Sequence, residues 1–244
     1  MKDLLTRIWR KATSLRLIDR RHLYKYWERD HLTRLLSHYD IDCVFDVGAN
    51  YGQYATMLRK DVGYKGLILS FEPNPSAASH TKKLAQNDPL WHVEQMALSV
   101  ADGSQSFHIM SDSQFSSLSS PKHDEIDLFR EWNKVNQTIE VRTETITTAF
   151  RRLQAIHSFK RPFLKMDTQG YDVEIITHAG PALSDFIGLQ SELAVKKLYE
   201  DSIDYKKAIE TYESLGFEMS AFVPNNGGHF PYLVEIDCIM IRKV

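Results

Sequence analysis

Phe45-Asp46-Val47-Gly48-Ala49-Asn50-Tyr51-Gly52 decides the fold. The run from Cys43 to Val47 is short and apolar, reads as a buried strand and ends at a glycine. A helical stretch follows around Tyr54–Lys60. A strand that passes through a glycine turn into a helix makes a cradle for a small molecule. Gly48 permits the tight turn, and Gly52 lets the helix begin close to the ligand.

Outward from this loop the rhythm repeats. Gly66–Phe71 is a second buried strand, stopped by Glu72-Pro73-Asn74-Pro75. Ser76–Gln86 reads as a helix capped by Asn74 or Ser76, and Trp91–Leu98 as a third strand. Ser106–Met110 and Thr138–Thr143 alternate like strands, with a serine-rich loop over Ser111–Ser120 and a helix over Asp124–Val135 between them. Thr147–His157 is helical. Strand Phe163–Met166, helix Asp172–His178, strand Ile187–Leu193 and helix Tyr205–Leu215 follow. Strands alternating with helices over short connections predict an α/β fold with a doubly wound, mostly parallel sheet. Phe217–Val223 and Leu233–Ile241 are joined without a helix, which fits a terminal antiparallel hairpin. Residues 1–39 are expected as an N-terminal helical extension, because apolar residues recur at three- and four-residue spacing and Gly and Pro are absent. The domain proper is expected over 40–244.

Composition narrows the class. With 244 residues, 43% hydrophobic and 25% charged, the chain can bury a core without disulfides or a structural metal. Its two cysteines, Cys43 and Cys238, sit in apolar runs and are expected as buried free thiols of a reducing, cytoplasmic compartment. A formal net charge of −2 gives no global pull toward nucleic acid or anionic membranes, so no nucleic-acid partner is expected. No apolar run approaches a membrane span. Near the start, Leu4, Leu5, Ile8 and Trp9 alternate with Arg7, Arg10, Lys11 and Arg16. That pattern suits peripheral membrane contact, and equally an apolar stripe packed on the domain or on a second copy in a homo-oligomer.

The loop's ligand follows from its charge. A dinucleotide site wants G-x-G-x-x-G with pyrophosphate on the helix N-terminus; here Asn50 replaces the middle glycine and the third is missing. The Asp46 carboxylate would repel a pyrophosphate and attract the ammonium and sulfonium of S-adenosylmethionine. Glu72 ends the second strand at about the 20-residue separation expected of an acid that hydrogen-bonds a ribose diol. A nicotinamide-dependent oxidoreductase and a non-catalytic interaction module are the weaker readings.

At this point the sequence resembles the FkbM-type methyltransferases, a branch of the class I enzymes. The matching blocks are the loop itself, Phe71-Glu72-Pro73-Asn74-Pro75, Ala97-Leu98-Ser99 with Asp102-Gly103, Ser116-Ser117-Leu118, Leu164-Lys165-Met166-Asp167-Thr168-Gln169-Gly170-Tyr171-Asp172, and Gln190-Ser191-Glu192. Asp172 stands where the family pattern has Glu. The resemblance implies a seven-stranded sheet of the class I methyltransferase, Rossmann-like type. It also implies O-methylation of a saccharide hydroxyl (glycan, nucleotide sugar or glycolipid), or else of a polyketide or other secondary metabolite. Carried over by position, Asp46, Gly48, Asn50, Gly52 and Tyr54 form the methionine-end cradle. Glu72 and Pro73 hold the ribose, and Ala97 with Met96 and Leu98 meets the adenine. Ser117 is a further candidate for the adenine end, or for a polar acceptor.

Transfer to a hydroxyl needs positioning and removal of its proton. Ligands of open α/β sheets bind beyond the carboxyl ends of the strands, where Asp167 and Glu192 are both expected. Asp167, His229 and Lys165 are the candidate catalytic side chains. Asp167 and Glu192, with His229 from the glycine-rich loop, are candidate ligands for Mg²⁺, Mn²⁺ or Fe²⁺. Asp167 alternatively caps the following helix, Glu192 is alternatively ion-paired, and Phe115, Trp132 and Tyr171 form either an aromatic wall for a sugar face or part of the core.

Overall fold

A computed structural model describes residues 23–110, 135–196, 203–224 and 233–243. Helix α1 (Leu23–His38) precedes strand β1 (Cys43–Val47), which leads into helix α2 (Gln53–Met57). Strand β2 (Leu67–Phe71), helix α3 (Pro75–Ala85) and strand β3 (Trp91–Glu94) follow. Next come the short strand β4 (Ala97–Leu98), β5 (Gly103–Met110), β6 (Val135–Glu144) and helix α4 (Ile146–His157). The second half holds β7 (Pro162–Met166), α5 (Asp172–Thr177), β8 (Gly188–Ala194), α6 (Tyr205–Ser214), β9 (Phe217–Pro224) and β10 (Glu235–Arg242). Residues 1–22, the serine-rich loop and, apart from Val135, the expected helix over Asp124–Val135 lie outside the described residues, as do Phe115 and Trp132.

Seven strands form one sheet in the order β3-β2-β1-β7-β8-β10-β9. All neighbours are parallel except β10, which runs antiparallel to both β8 and β9. The sheet is therefore mostly parallel and is closed by the expected hairpin. The direction of winding reverses between β1 and β7, and that switch point is where the ends of such sheets open a ligand crevice.

Successive side chains of a strand face opposite sides, so each strand serves two cores. Cys43, Phe45 and Val47 face the side covered by α4, α5 and α6, where Phe150, Ile175 and Tyr212 are buried. Phe45 sits among the rings of Phe71, Phe150, Phe159 and Phe186, with centroids 5.2 to 6.2 Å away. Val44, Ile68, Phe163 and Ile239 face the other side, under Leu32, Leu35 and Leu36 of α1. The helix read as an extension shares this core. Cys43 and Cys238 are buried free thiols, as expected.

The structure corrects three local readings. Trp91–Leu98 is not one strand: the chain turns at Gln95-Met96, leaving β3 on the main sheet while β4 joins β5 and β6 in a separate three-stranded sheet. The helix after the glycine loop is only five residues of α-helix and finishes as a π-helical turn, Leu58–Val62, closed by Gly63 in the left-handed conformation. Strand β8 runs from Gly188 to Ala194, which puts Glu192 inside the strand rather than beyond its end. Antiparallel pairing with β10 is what extends it, since Glu192 is in register with Asp237 and Ala194 with Glu235.

The strand ends at the switch point approach closely. Gly48 has φ +73°, and a Cβ there would fall 1.9 Å from the backbone oxygen of Asp167. Gly48→Ala is expected to cost about 3 kcal/mol or more, combining left-handed backbone strain with displacement of the β7 end. That corresponds to a fall in Tm of roughly 6–12 °C for a domain of this size, measurable by thermal denaturation.

Candidate active site

The glycine loop is held from beneath by backbone bonds: Gly48 and Ala49 N–H both donate to the Phe71 carbonyl at 3.0 Å. Asn50 (φ 46°) and Gly52 (φ 77°) are left-handed. Asn50 keeps that conformation because its N–H donates to Glu72 Oε2 at 2.6 Å and its carbonyl accepts from Thr81 Oγ1 at 2.8 Å. The other oxygen of Glu72 accepts from Asn74 N–H at 2.8 Å. Asn74 in turn caps α3, its side chain accepting from Ser76 N–H at 3.0 Å, with Pro75 opening the helix. Glu72 is only 5% exposed. Burial pushes its carboxyl up to about 7, against the two backbone N–H groups, which favour the charged form.

These groups line a cavity of about 690 Å³ over the carboxyl ends of the strands. Gly48, Asn50, Tyr54, Glu72, Pro73, Ala97, Lys165, Asp167 and Glu192 all reach it, and so does Leu98. Asp46 does not line it. Its side chain is fully buried, accepts from Ser70 Oγ at 2.9 Å and lies 3.6 Å from Lys165 Nζ. The strand register pairs Asp46 with Ser70 on one side and Lys165 on the other, and Lys165 with Gln190. The carboxylate read as facing the ligand is thus a rung in a polar row crossing four strands. Met96 is also buried away from the cavity wall, its sulfur 3.7 Å from Arg152 Nη2.

Lys165 is the centre of that row. Burial alone would lower its pKa; Asp167 and Asp46 outweigh burial and hold the ammonium above its usual value. Its Nζ lies 3.3 Å from Asp167 Oδ2 and 5.3 Å from the centre of the Tyr54 ring. Tyr54 donates to Gln190 Oε1 at 3.0 Å, and both N–H groups of Gln190 are used, on Glu28 of α1 and Asp237 of β10, each at 2.9 Å. A protonated lysine is no general base, so its contribution is charge.

Asp167 does not cap α5. Asp172 does the organising there, accepting from Thr168 N–H at 2.7 Å and from Ser191 Oγ at 3.0 Å, which ties the loop after β7 to β8. The shorter acid fits because both contacts lie close to its own backbone. Gln169 (φ 54°) donates to Asp167 Oδ1 at 2.7 Å and to Glu192 Oε2 at 3.0 Å. Its amide occupies the place between the two carboxylates where a cation would sit. Among the described residues no group of three or more His, Cys, Asp or Glu side chains is placed to hold a metal ion. Burial, then Glu235, Asp167 and Asp237, push the Glu192 carboxyl well up.

His229 and Ser117 lie outside the described residues. Tyr171 packs against the main core. The sequence reading missed Glu28, Phe107, Gln169, Gln190, Glu235 and Asp237, all on the cavity wall. Alternation was the available signal: Gln190 and Glu192, and Glu235 and Asp237, are polar pairs two apart in otherwise apolar strands, which puts each pair on one face. No helix among the described residues is long and apolar enough to cross a membrane.

Among solved structures, fibrillarin of Aeropyrum pernix, whose structure contains bound S-adenosyl-L-methionine, is 12% identical. The alignment covers 89% of this chain and 76% of that one, with a TM-score of 0.47. Magnesium protoporphyrin IX methyltransferase from Synechocystis is 9% identical, covering 96% and 92%, with a TM-score of 0.49. An N-methyltransferase from Bradyrhizobium japonicum is 8% identical, covering 91% and 97%, with a TM-score of 0.49. No curated protein matches the sequence. The family model that matches is the methyltransferase FkbM domain, over residues 46–219. That span covers most of the chain, including the glycine loop, Glu72 and the β7 end, and the chain belongs to the FkbM family of S-adenosylmethionine-dependent methyltransferases.

Proposed function

We propose that the chain is an O-methyltransferase acting on a hydroxyl of a saccharide. The observation that carries this reading is the order of strand ends along one wall of the cavity. Glu72 follows β2, Gly48 follows β1, Asp167 follows β7 and Glu192 lies on β8, a ribose acceptor at one end and carboxylates at the other.

The residues present fit the donor. Glu72 presents a carboxylate whose oxygens are already oriented by backbone N–H groups, the arrangement a ribose diol needs. Ala97, Leu98 and Phe107 give an apolar flank for the adenine. The loop lines the cavity from Gly48 to Tyr51, where the methionine end would lie, while Gly52 packs against Thr81 and Leu84 of α3. When bound, S-adenosylmethionine supplies an electrophilic methyl on a sulfonium, and its departure leaves a neutral thioether.

The remaining work falls to this chain's own side chains. Asp167 reaches the cavity with 39% of its side chain exposed, and takes the proton that the acceptor oxygen loses. Lys165 and Gln169 hold that carboxylate on both sides. The Lys165 ammonium also offsets negative charge developing on the acceptor oxygen. A hydroxyl-rich acceptor fits a wall of carboxylates and amides that accept and donate hydrogen bonds.

Two outcomes test the assignment. Asp167→Asn is expected to lower kcat by about 100-fold or more, the range of a lost general base, while calorimetric affinity for S-adenosylmethionine changes little. Unchanged turnover removes Asp167 from the catalytic set. Because Glu72 titrates near 7 and its charged form is the one that accepts from both ribose hydroxyls, donor affinity should rise roughly tenfold from pH 6 to pH 8. Glu72→Gln should weaken binding and flatten that slope; a slope that persists in the variant assigns the titration elsewhere.

A further inference from the structure

The groups that flank the donor stand on two different sheets. Glu72 follows β2 of the main sheet, whereas Ala97, Leu98 and Phe107 stand on β4 and β5 of the smaller one. Base and ribose of one adenosine are joined by a single glycosidic bond, so the two sheets must keep a fixed offset for one ligand to meet both. Met96 and Leu98 pack into the main core and hold the sheets together. Such apolar packing is non-directional, and a binding group acts only when its supports fix it to within about half an ångström.

Arg152 of α4 supplies a directional tie. Its Nε and Nη2 donate to Glu144 Oε2 at 3.1 and 2.9 Å, and Nη2 also donates to Glu94 Oε2 at 3.3 Å. Glu94 ends β3 on the main sheet and Glu144 ends β6 on the small one, so one guanidinium spans both. The same Nη2 lies 3.7 Å from the sulfur of Met96, at the turn where the chain leaves one sheet for the other. Both carboxylates belong to residues whose backbones reach the donor groups. The Glu94 carbonyl accepts from Glu72 N–H at 3.0 Å and from Met96 N–H at 3.1 Å. Glu144 is in register with Leu98.

The helix that carries Arg152 is itself fixed, because Phe150 and Leu153 are buried in the main core on either side of it. The Glu144 side chain is only 5% exposed, so the contact is not a solvated surface pair. Arg142 also meets Glu144, but among the described residues Arg152 alone joins it to Glu94. A planar guanidinium with several donors can hold two carboxylates at once, which a lysine cannot do with the same fixed geometry.

We propose that Arg152 is a positioning residue for the methyl donor: it sets the offset between the Glu72 carboxylate and the adenine flank, acting through Glu94 and Glu144 from outside the cavity. This rests on the placement of ribose and adenine proposed above.

The test is calorimetric titration, well below the unfolding transition, with S-adenosylhomocysteine and with methylthioadenosine, which keeps the adenosine and lacks the amino-acid end. Arg152→Met keeps an apolar stem and removes the fork. It should weaken both ligands by the same factor, about tenfold, as expected for losing charge-assisted hydrogen bonds. Glu94→Gln removes one ion pair without disturbing the core and should weaken both about threefold. The double variant should lose little beyond Arg152→Met alone, because the two residues act as one unit. Arg151→Met, the same charge change at the exposed neighbour on α4, should leave both affinities unchanged. Unchanged affinities in Arg152→Met overturn the inference, even where its Tm falls, since the role is then structural only. A loss confined to S-adenosylhomocysteine, or one matched by Arg151→Met, also overturns it. Glu72→Gln keeps the two readings apart. If it weakens donor binding and Arg152→Met does not, the positioning role fails and the ribose placement stands. If Glu72→Gln leaves donor binding unchanged, the placement fails and the positioning role falls with it.

Discussion

One buried ammonium holds this site together. Lys165 sits in the central strand β7 with 6% exposure, and an isolated charge there would cost several kcal/mol. It is tolerated because Asp46 of β1 and Asp167 at the end of β7 flank it, and because Tyr54 offers its ring face. The arrangement binds three things in one place: the strand carrying the glycine loop, the Asp167 carboxylate, and the first helix after the loop. Removing the lysine would leave two carboxylates facing each other across the switch point. Removing Asp46 would leave Asp167 as the lysine's one carboxylate at ion-pair distance among the described residues, beside the Gly48 carbonyl and the Tyr54 ring. The cluster is a positioning device before it is a chemical one.

The same strand periodicity that builds the core also builds this cluster. On the face shared with α1, the lower rungs are Val44, Ile68, Phe163 and Ile241, which fill the core; the rungs nearer the loop are Asp46, Ser70, Lys165 and Gln190. Side-chain polarity switches from apolar to polar one step before the strands end. The backbone there needs no special geometry, because register alone lines the polar groups up. Trp91 Nε1 donates to Ser70 Oγ at 3.0 Å at one margin, and Glu28 accepts from Gln190 at the other. The one atom of the row without a hydrogen bond, the buried Asp46 Oδ1, lies 3.6 Å from the Lys165 ammonium.

That logic explains which parts of the site were legible in the sequence. The glycine loop and Glu72 were readable because their function depends on neighbours within a few residues: positive φ at Gly48, a strand end, a proline-led helix start. Asp46 was read as facing the ligand because it sits beside the loop in sequence, yet its direction is set by strand parity, which sends it to the same side as Lys165. The contacts of Gln190 reach residues 136 and 162 positions away, Tyr54 and Glu28. Nothing local in Gln190-Ser191-Glu192 announces them. Sheet order had to be known first, and the insertion of β10 between β8 and β9 is what brings Asp237 beside Glu192. The split of Trp91–Leu98 into two sheets was hidden for a similar reason: both halves are apolar enough for strands, and only the turn at Gln95-Met96 separates them.

Division of labour along the sheet follows from this topology. The half before the switch point, β1 to β3, carries the residues suited to the donor and lies almost wholly inside the family's matched span. Strand β10 and helix α1 lie outside it, yet both line the cavity and are tied to each other there by a single glutamine. Gln190 spends both of its N–H groups on carboxylates from elements at opposite ends of the chain. That makes the helix read as an extension part of the cavity wall, since Glu28 cannot be removed without freeing one hydrogen of Gln190 and changing the field at Asp237.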